Sequence, residues 1–226
     1  MTPGFLTLAL DTALAACSVA LVSPDGVLAT RHQPMERGQA EALVPLIAAV
    51  MAEADQTPSA LGQVAVTIGP GSFTGLRVGL ATARGLGVAL GCPVRGVGVA
   101  EALADAVMDH DRAASEASVL VVIDSKRGDL FVQRFAGRDA QGLPRAVDSP
   151  RAVSLDEAQA LAEGASFVAG DGALKVGRAP VVVFPDPVRV ARLAARRPPE
   201  AALAPLPLYL RPPDAVLAPN GGRLWA

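Results

Sequence analysis

The chain contains 226 residues, of which 51% are hydrophobic and 19% charged, and its formal net charge at pH 7 is -2. This composition excludes an intrinsically disordered chain, and the slight negative charge argues against independent nucleic-acid binding, which needs a clustered cationic surface. The two cysteines form no CxxC pair and no apolar run reaches the ~20 residues of a membrane span, which predicts a cytoplasmic protein without disulfides or membrane segments.

The first half of the sequence predicts a β-meander followed by alternating helices and strands. The turn sequence Ser23-Pro24-Asp25-Gly26 marks a hairpin, apolar residues at helical spacing mark the first helix with Pro45 in its first turn, and Gly91 ends the second helix. The predicted elements are strands at 5–10, 17–23 and 27–31, a helix at 40–54, a strand at 64–68, a helix at 74–90 and a strand at 94–99.

The second half begins again with a hairpin and ends in a proline-rich tail that runs to Ala226. Arginines cluster at the end of the last predicted helix, where cations commonly complement the helix dipole; they are Arg189, Arg192, Arg196 and Arg197. The predicted elements are strands at 119–123 and 129–135, a helix at 154–162, strands at 166–169 and 181–184 and a helix at 187–197.

The two halves share a layout in which a strand ending in Asp plus a hydroxyl residue precedes a strand ending in Gly-x-Gly. This repetition predicts an α/β, two-lobed actin-like fold, the ASKHA architecture of actin, Hsp70 and sugar kinases, with duplicated hairpin-first subdomains. The expected lobes are residues 1–105, with dimerisation helices, and 106–226, with a closing helix and the tail. The matching strings are 8–12 with 121–125 and 69–71 with 170–172.

In that architecture the hairpin turns hold nucleotide phosphates, and glycines beside the Asp let the backbone approach the anion. Those glycines are missing here, so ordinary phosphate cradling is not expected, although Lys126 and Arg127 could bind phosphate themselves. A vestigial nucleotide cleft would consist of Asp11, Thr12, Gly71, Ser72, Asp124, Lys126 and Arg127.

The glycine-rich segment 69–75 feeds a helix N-terminus, where free N–H groups could hold an anion. It is not a Walker A loop, because no Lys follows Gly75. The alternative is a tight strand-to-helix turn in which Ser72 or Thr74 caps the helix.

No pattern in the sequence indicates catalysis. His32 and His110 are the two histidines, and no metal-binding His motif or nucleophile elbow is present. Cys17 lies in a predicted apolar strand, which is typical of a thiol that only packs. No catalytic residue, metal or cofactor is therefore predicted.

The second predicted helix carries a stripe of small residues at Gly75, Gly79, Ala83 and Gly87, which demands close contact with another backbone. That contact could be the chain's own sheet or a partner protein. The first predicted helix is small and apolar on two faces, which favours a partner. The candidate interface comprises Leu43, Leu46, Ile47, Val50, Met51, Gly75, Leu76, Arg77, Gly79, Leu80, Ala83, Arg84 and Gly87.

Several segments together resemble the TsaB/YeaZ family, from about residue 5 to 214. The segment Gly69-Pro70-Gly71-Ser72-Phe73-Thr74-Gly75-Leu76-Arg77-Val78-Gly79 looks like the family's most specific signature. Where many relatives have His-Ser-Glu at the start of the first helix, this chain has Gln39-Ala40-Glu41. The other similar segments are 8–12, 17–21, 123–131, 170–172 and 207–211.

The resemblance implies a non-catalytic scaffold that forms a heterodimer with TsaD, the paralogue carrying metal, nucleotide and chemistry. TsaD transfers the threonylcarbamoyl group to the adenosine beside the anticodon of ANN-decoding tRNAs, and the ATPase TsaE joins the complex. The chain would then meet tRNA only indirectly, and could form a homodimer when alone. Variants Gly79→Leu and Val50→Glu would be expected to weaken the heterodimer while leaving the monomer folded.

Two rival interpretations stay open. The chain could be a metal- or ATP-dependent enzyme, either glycoprotease-like or a small-molecule kinase, which a bound metal or ATP turnover would reveal. It could also be a self-contained homodimer that uses the same helices on itself, and mixing with TsaD would reveal this.

Overall fold

Two β-sheets organise the protein, whose computed structural model describes residues 6–110 and 117–211. The strands are β1 (Leu6–Asp11), β2 (Ala16–Ser23), β3 (Gly26–Pro34), β4 (Leu61–Gly69), β5 (Val94–Gly98), β6 (Ser118–Asp124), β7 (Leu130–Arg138), β8 (Pro144–Ala146), β9 (Arg151–Val153) and β10 (Phe167–Ala169). The helices are α1 (Gln39–Glu53), α2 (Phe73–Leu90), α3 (Val99–His110), α4 (Leu155–Glu163) and α5 (Pro187–Arg196).

Both sheets have the same hairpin-first topology. In the first, ordered β3-β2-β1-β4-β5, the strands β1 to β3 are antiparallel, while β4 runs parallel to β1 and β5 parallel to β4. In the second, ordered β10-β6-β7-β8 with β9 also paired to β7, an antiparallel β6–β7 hairpin is followed by β10 parallel to β6. The strands β1 and β6 are therefore equivalent, and the predicted two-lobed actin-like fold is confirmed.

Most predicted elements are present with ends shifted by a few residues. The regular strand predicted at 181–184 is wrong: the segment runs beside β10 with two backbone hydrogen bonds, Val181 N–H to Val168 O and Gly170 N–H to Val182 O, but without a ladder. Pro45 lies in the second turn of α1, not the first. Phe5 and the tail beyond Arg211 lie outside the described residues.

A helix that the sequence pattern did not predict, α3, joins the two sheets. Its residues from Val99 to Met108 are all buried. It belongs to a core cluster that contains Leu14 and Leu76 of the first lobe together with residues of β6 and β7. The predicted lobe boundary between residues 105 and 106 falls inside this helix, and the division itself stays a prediction.

Ion pairs attach the acidic stripe of α3 to β7 and α5. The Asp105 side chain is 2% exposed and binds Arg138 Nη1 and Arg189 Nη1 at 2.5 and 3.0 Å. Asp109, one turn further on, binds the same two arginines at 2.7 and 2.6 Å. These side chains therefore hold three elements together at the junction of the lobes.

The arginine cluster of α5 therefore binds acidic side chains in addition to complementing the helix dipole. Arg189 binds α3, Arg197 pairs with Glu101, and Arg196 Nη1 lies 3.6 Å from Asp105 Oδ1. Arg192 is exposed. Sequence reasoning missed these ion pairs because their acidic partners belong to the helix that it did not predict.

The described end of the tail, residues 203–211, lies along the first lobe. The N–H of Gly96 donates to Leu203 O at 2.8 Å, and the N–H of Leu208 donates to Ile68 O at 2.7 Å. Arg84 Nε of α2 donates to the Pro205 carbonyl at 2.9 Å. Backbone and side-chain bonds therefore fix the tail against β4, β5 and α2.

Candidate functional site

We call the strand end that carries Asp11 the acidic corner of the first hairpin, and this corner is closed to ligands. Asp11 is 0% exposed, and its Oδ1 accepts hydrogen bonds from the Thr67 hydroxyl at 2.7 Å and the Ala13 N–H at 3.2 Å. Burial raises the pKa of Asp11 to about 6, although these hydrogen bonds act in the opposite direction. The Thr12 hydroxyl donates to Gly75 O at 2.7 Å. Asp11 and Thr12 therefore fasten β1 to its neighbours and present almost no surface to a ligand.

The acidic corner of the second hairpin is occupied by the chain's own lysines. Lys126 Nζ lies 3.1 Å from Asp124 and 3.0 Å from Asp171, and Lys175 Nζ lies 2.9 Å from Asp124. Burial acts to raise the pKa of Asp124, but the hydrogen bonds and charges of these lysines outweigh it and leave the pKa below its usual range. The carboxylate is thus ionised and already paired.

The loop before α2 is a helix cap that is pressed onto the first hairpin. Ser72 Oγ accepts from the Gly75 N–H at 3.3 Å, which confirms the capping interpretation and selects Ser72 as the cap. The N–H of Ser72 donates to Ala13 O at 2.7 Å. A Cβ on Gly71 would clash with the same Ala13 carbonyl. Only glycine allows this close approach.

The small-residue stripe of α2 faces the chain's own sheet, the first of the two alternatives. A Cβ on Gly75 would clash with the Thr12 carbonyl, and one on Gly79 would lie 2.6 Å from Thr12 Oγ1. A Cβ on Gly87 would clash with Val94 of β5. The close contact that these glycines demand is therefore made within the first lobe.

The residues predicted for a partner interface are consequently divided between core and surface. Leu46, Ile47 and Gly87 are partly buried, while Arg77 and Arg84 are exposed and bind the tail. Gly79→Leu and Val50→Glu would disturb the core, so they cannot test a surface. The buried members are Leu43, Val50, Met51, Gly75, Leu76, Gly79, Leu80 and Ala83.

A different set of residues forms the exposed side of α1 and α2, and we call it the outer helical face. The two helices contact each other and cover the first sheet, α1 over β2 and α2 over β4. Val44 is 60% exposed and Val88 is 86% exposed. The second apolar face of α1 signalled part of this surface in the sequence. Its members are Val44, Pro45, Ala48, Ala49, Ala52, Ala81, Gly85, Val88 and Ala89.

A cavity of about 580 Å³ opens where the start of α2, the second hairpin turn and the tail meet, and we call it the tail cavity. It brings together four residues of the predicted cleft, Gly71, Ser72, Lys126 and Arg127, whereas Asp11, Thr12 and Asp124 are not among its lining residues. The lining consists of Gly71, Ser72, Phe73, Thr74, Arg77, Ser125, Lys126, Arg127, Phe131, Leu208, Tyr209, Leu210 and Arg211.

The sulfur and imidazole side chains have ordinary structural surroundings. Cys17 is 0% exposed, and burial together with the Asp11 charge raises the pKa of its thiol to about 11. His32 Nδ1 lies 2.9 Å from Ser18 Oγ. In the described ranges, no group of three or more His, Cys, Asp or Glu side chains is placed to hold a metal ion. The helices of those ranges include none that is long and apolar enough to cross a bilayer.

Comparison with known proteins agrees with this geometry. A family model described as TsaD: tRNA N6-adenosine threonylcarbamoyltransferase matches residues 33–185, more than half of the chain. The structure of YeaZ from Pseudomonas aeruginosa matches with a TM-score of 0.76 and 28% identity, covering 91% of this chain and 100% of that chain. The chain belongs to the TsaB/YeaZ family. The predicted membership of that family is therefore confirmed.

Curated proteins match over a shorter stretch. The tRNA threonylcarbamoyladenosine biosynthesis protein TsaB of Escherichia coli (strain K12) is 30% identical over 136 residues, which are 60% of this chain and 57% of that protein. An uncharacterised protein of Mycobacterium leprae (strain TN), ML0378, is 35% identical over 161 residues, 66% of this chain and 42% of that protein. The chain spans about half the length of the curated relatives it matches.

Proposed function

We propose that this chain is the non-catalytic subunit of a complex that forms threonylcarbamoyladenosine in tRNA. In this proposal it binds a TsaD-type catalytic subunit, the heterodimer recruits a TsaE-type ATPase, and tRNA is held through the partner. Membership of the TsaB/YeaZ family and the name of the Escherichia coli relative support the pathway. The match to a TsaD family model supports a related, similarly folded partner.

The observation that carries the proposal is the outer helical face. Contiguous exposed apolar surface is uncommon on monomers and usually marks a site of protein contact. Val44 and Val88 are exposed on this face at 60% and 86%, and its remaining members are alanine, glycine and proline. The small side chains of these members let the backbone of a second helix pair approach closely. A TsaD-type subunit would cover it in the heterodimer, and a second copy of this chain would cover it when the partner is missing.

The two hairpin corners support the non-catalytic role. A phosphotransfer site of the actin type needs both corners accessible to phosphate and metal. Asp11 is fully buried and bonded to Thr67 and Ala13, and Asp124 is paired with Lys126 and Lys175. The chain's net charge of -2 also agrees with a complex in which the partner subunit, and not this chain, binds tRNA.

Co-purification with the TsaD protein of the same organism tests the interface. Val44→Glu and Val88→Glu introduce a buried charge into the complex, and each is expected to weaken the heterodimer about tenfold or more. Leu174→Glu is the matched control, because Leu174 is 74% exposed and lies in the second lobe. Normal heterodimer formation by both outer-face variants, with all three proteins equally folded, would refute the assigned face.

Reconstitution of tRNA modification tests the role. TsaD and TsaE are expected to form threonylcarbamoyladenosine with this chain present and to lose that activity when it is omitted. Val88→Glu should lower the yield in proportion to lost heterodimer. ATP turnover by the purified chain alone, or full modification without it, would instead favour the enzyme interpretation. A homodimer that never exchanges into the heterodimer would contradict the proposed partner.

A further inference from the structure

The outer helical face is too small to form the whole of a stable protein interface. Its nine members include no side chain larger than valine. Stable interfaces usually contain about 20 to 30 residues on each side, and aromatic and arginine side chains commonly contribute most of their binding energy. The surface that a partner covers therefore has to continue beyond this face.

The surface continues along one edge of α2 and onto the described end of the tail, and we call this group of residues the tail strip. Arg77 and Arg84 lie one helical turn before Ala81 and Val88 of the outer helical face. Residues four apart on a helix are surface neighbours, so the two surfaces are contiguous. The tail strip consists of Phe73, Arg77, Arg84, Leu206 and Tyr209.

The tail strip exposes large apolar side chains whose positions are already fixed. Phe73, Leu206 and Tyr209 are 46%, 59% and 40% exposed. The rings of Phe73 and Tyr209 lie 5.2 Å apart. The Arg77 guanidinium lies 3.7 Å from the Phe73 ring centroid, and its Nε donates to the Tyr209 hydroxyl at 3.1 Å. Side chains that are ordered before a partner arrives lower the entropic cost of association.

Two hydrogen bonds hold the tail itself beside α2. Arg84 Nε donates to the Pro205 carbonyl at 2.9 Å, and the Leu208 N–H donates to Ile68 O at 2.7 Å. Leu206 lies between these two attachment points, so its backbone is held against the first lobe while most of its side chain remains in solvent.

The two arginines of the tail strip have no carboxylate partner in the part of the chain that the structure describes. Arg77 contacts the Phe73 ring and the Tyr209 hydroxyl, and Arg84 contacts the Pro205 carbonyl. Both residues are exposed. Because facing surfaces in a complex carry complementary charges, these guanidinium groups favour a partner that presents carboxylates.

We propose that the TsaD-type subunit extends from the outer helical face over the tail strip and binds both. Its apolar side chains would pack on Leu206 and on the Phe73–Tyr209 pair, and its carboxylates would face Arg77 and Arg84. This inference rests on the proposed function, because it takes the same partner. It adds the tail to the contact surface and gives the chemistry that the partner presents there.

The single tyrosine of the chain reports directly on the tail strip. Protein labelled with 3-fluorotyrosine gives one ¹⁹F NMR signal, from Tyr209, which is 40% exposed. Addition of unlabelled TsaD is expected to move this signal to a second position in proportion to the heterodimer formed. In the heterodimer the signal should also be protected from broadening by a soluble gadolinium chelate, because the partner covers the ring.

A charge on the apolar part of the tail strip tests its contribution to affinity. Leu206→Glu introduces a carboxylate where the partner's apolar side chains pack, and it is expected to weaken the heterodimer about tenfold or more in calorimetry. Leu174→Glu is the matched control, since Leu174 is 74% exposed and lies in the second lobe. Its affinity should stay within about twofold of that of the unmodified protein.

Salt dependence separates an arginine that meets carboxylates from one that only holds the tail. The rate of association with TsaD should fall as sodium chloride is raised, and Arg84→Gln should make this fall less steep. Arg145→Gln is the matched control: Arg145 is also exposed, and its Nε also donates to a backbone carbonyl at 2.9 Å, but it lies in the second lobe. Equal salt dependence of the two variants would contradict the acidic partner surface.

The outcomes distinguish the tail strip from the outer helical face. If Val88→Glu weakens the heterodimer while Leu206→Glu does not, or if the Tyr209 signal is unchanged in a formed heterodimer, the tail strip is refuted and the proposed function stands. If the unmodified chain does not bind TsaD, both are refuted. If Leu206→Glu weakens self-association but not binding to TsaD, the tail strip belongs to a second copy of this chain, and the proposed partner is wrong for it.

Discussion

Two glycines of α2 have opposite surroundings, although both belong to the same helix. A Cβ on Gly75 would clash with the Thr12 carbonyl, whereas one on Gly85 would meet nothing within 4 Å. Gly75→Ala is therefore expected to lower the free energy of unfolding by about 1 to 3 kcal/mol. Gly85→Ala should raise it by roughly 0.5 to 1 kcal/mol, because alanine is the better helix former.

Urea denaturation followed by circular dichroism measures both changes under the same conditions. If both substitutions changed the free energy of unfolding in the same direction, the described packing of the glycine stripe against the first hairpin would be contradicted.

The buried carboxyl of Asp11 should make stability depend on pH. Its pKa rises from 3.8 to about 6 on folding, so between these values the folded chain binds more protons than the unfolded chain. The Asp11 contribution to the free energy of unfolding therefore falls as the pH rises through this window. Asp11→Asn removes the titration and keeps the oxygen that accepts from Thr67 and Ala13. Between about pH 4 and pH 7, the free energy of unfolding of the variant should rise by about 2 kcal/mol relative to that of the unmodified protein.

The change in this difference with pH is the quantity to measure, by urea denaturation at several pH values. The amide nitrogen of the variant takes the place of Oδ2, which is buried without a partner in the described structure, and this adds a constant cost that does not vary with pH. A difference that stays flat across the window would show that Asp11 titrates normally.

Helix α3 and helix α5 show where sequence patterns stop being informative. Each carries a charged stripe that looks like a solvated face: Glu101, Asp105 and Asp109 on one helix and the arginines on the other. The structure places the two stripes against each other, with Asp105 only 2% exposed. Helical periodicity gives the direction of a charged face but not its neighbour. The network was therefore invisible until the fold brought the two helices together.

Asp105→Asn should cost about 3 kcal/mol of unfolding free energy, because it leaves Arg138 and Arg189 short of a buried counter-charge. Asp109→Asn is the matched control: it touches the same arginines, but its side chain is 42% exposed, and its loss should cost less than about 1 kcal/mol. Urea denaturation at low and high salt distinguishes them, since screening affects only the exposed pair strongly. Equal losses of unfolding free energy would contradict the prediction that burial makes the Asp105 pairs stronger than the Asp109 pairs.

The hairpins and the helix cap could be predicted because they rest on local chemistry. Turn residues, strands that end in Asp and a serine before a helix each favour a structure within a few residues. The sequence could not show which surface the glycine stripe contacts, because small residues require close contact with a backbone but do not identify that backbone. For the same reason the predicted interface included core residues such as Leu43 and Leu80, while Val88 on the outer helical face was overlooked.

Across the whole molecule, both lobes keep the hairpin-first topology. The cavity between their elements, however, does not lie at the two hairpin corners, where that topology predicts a phosphate site. The corners at Asp11 and Asp124 are filled by the chain's own hydrogen bonds and lysines. The open space lies beside them, where the tail crosses from the first lobe to the second. The bonds that close each corner stay within one lobe, whereas the tail connects the first lobe to the second.

That tight connection predicts that the two sheets unfold together. One core cluster contains Leu14 and Leu76 of the first lobe with Val121 and Phe135 of the second, and α3 runs between them. Opening either lobe would expose this shared core, so neither should be stable alone. Hydrogen exchange in increasing urea, read by mass spectrometry, should give midpoints for the β1–β2 and β6–β7 peptides that agree within about 0.2 M. Two well-separated midpoints would show that the lobes are independent folding units, and the shared core would then contribute little to stability.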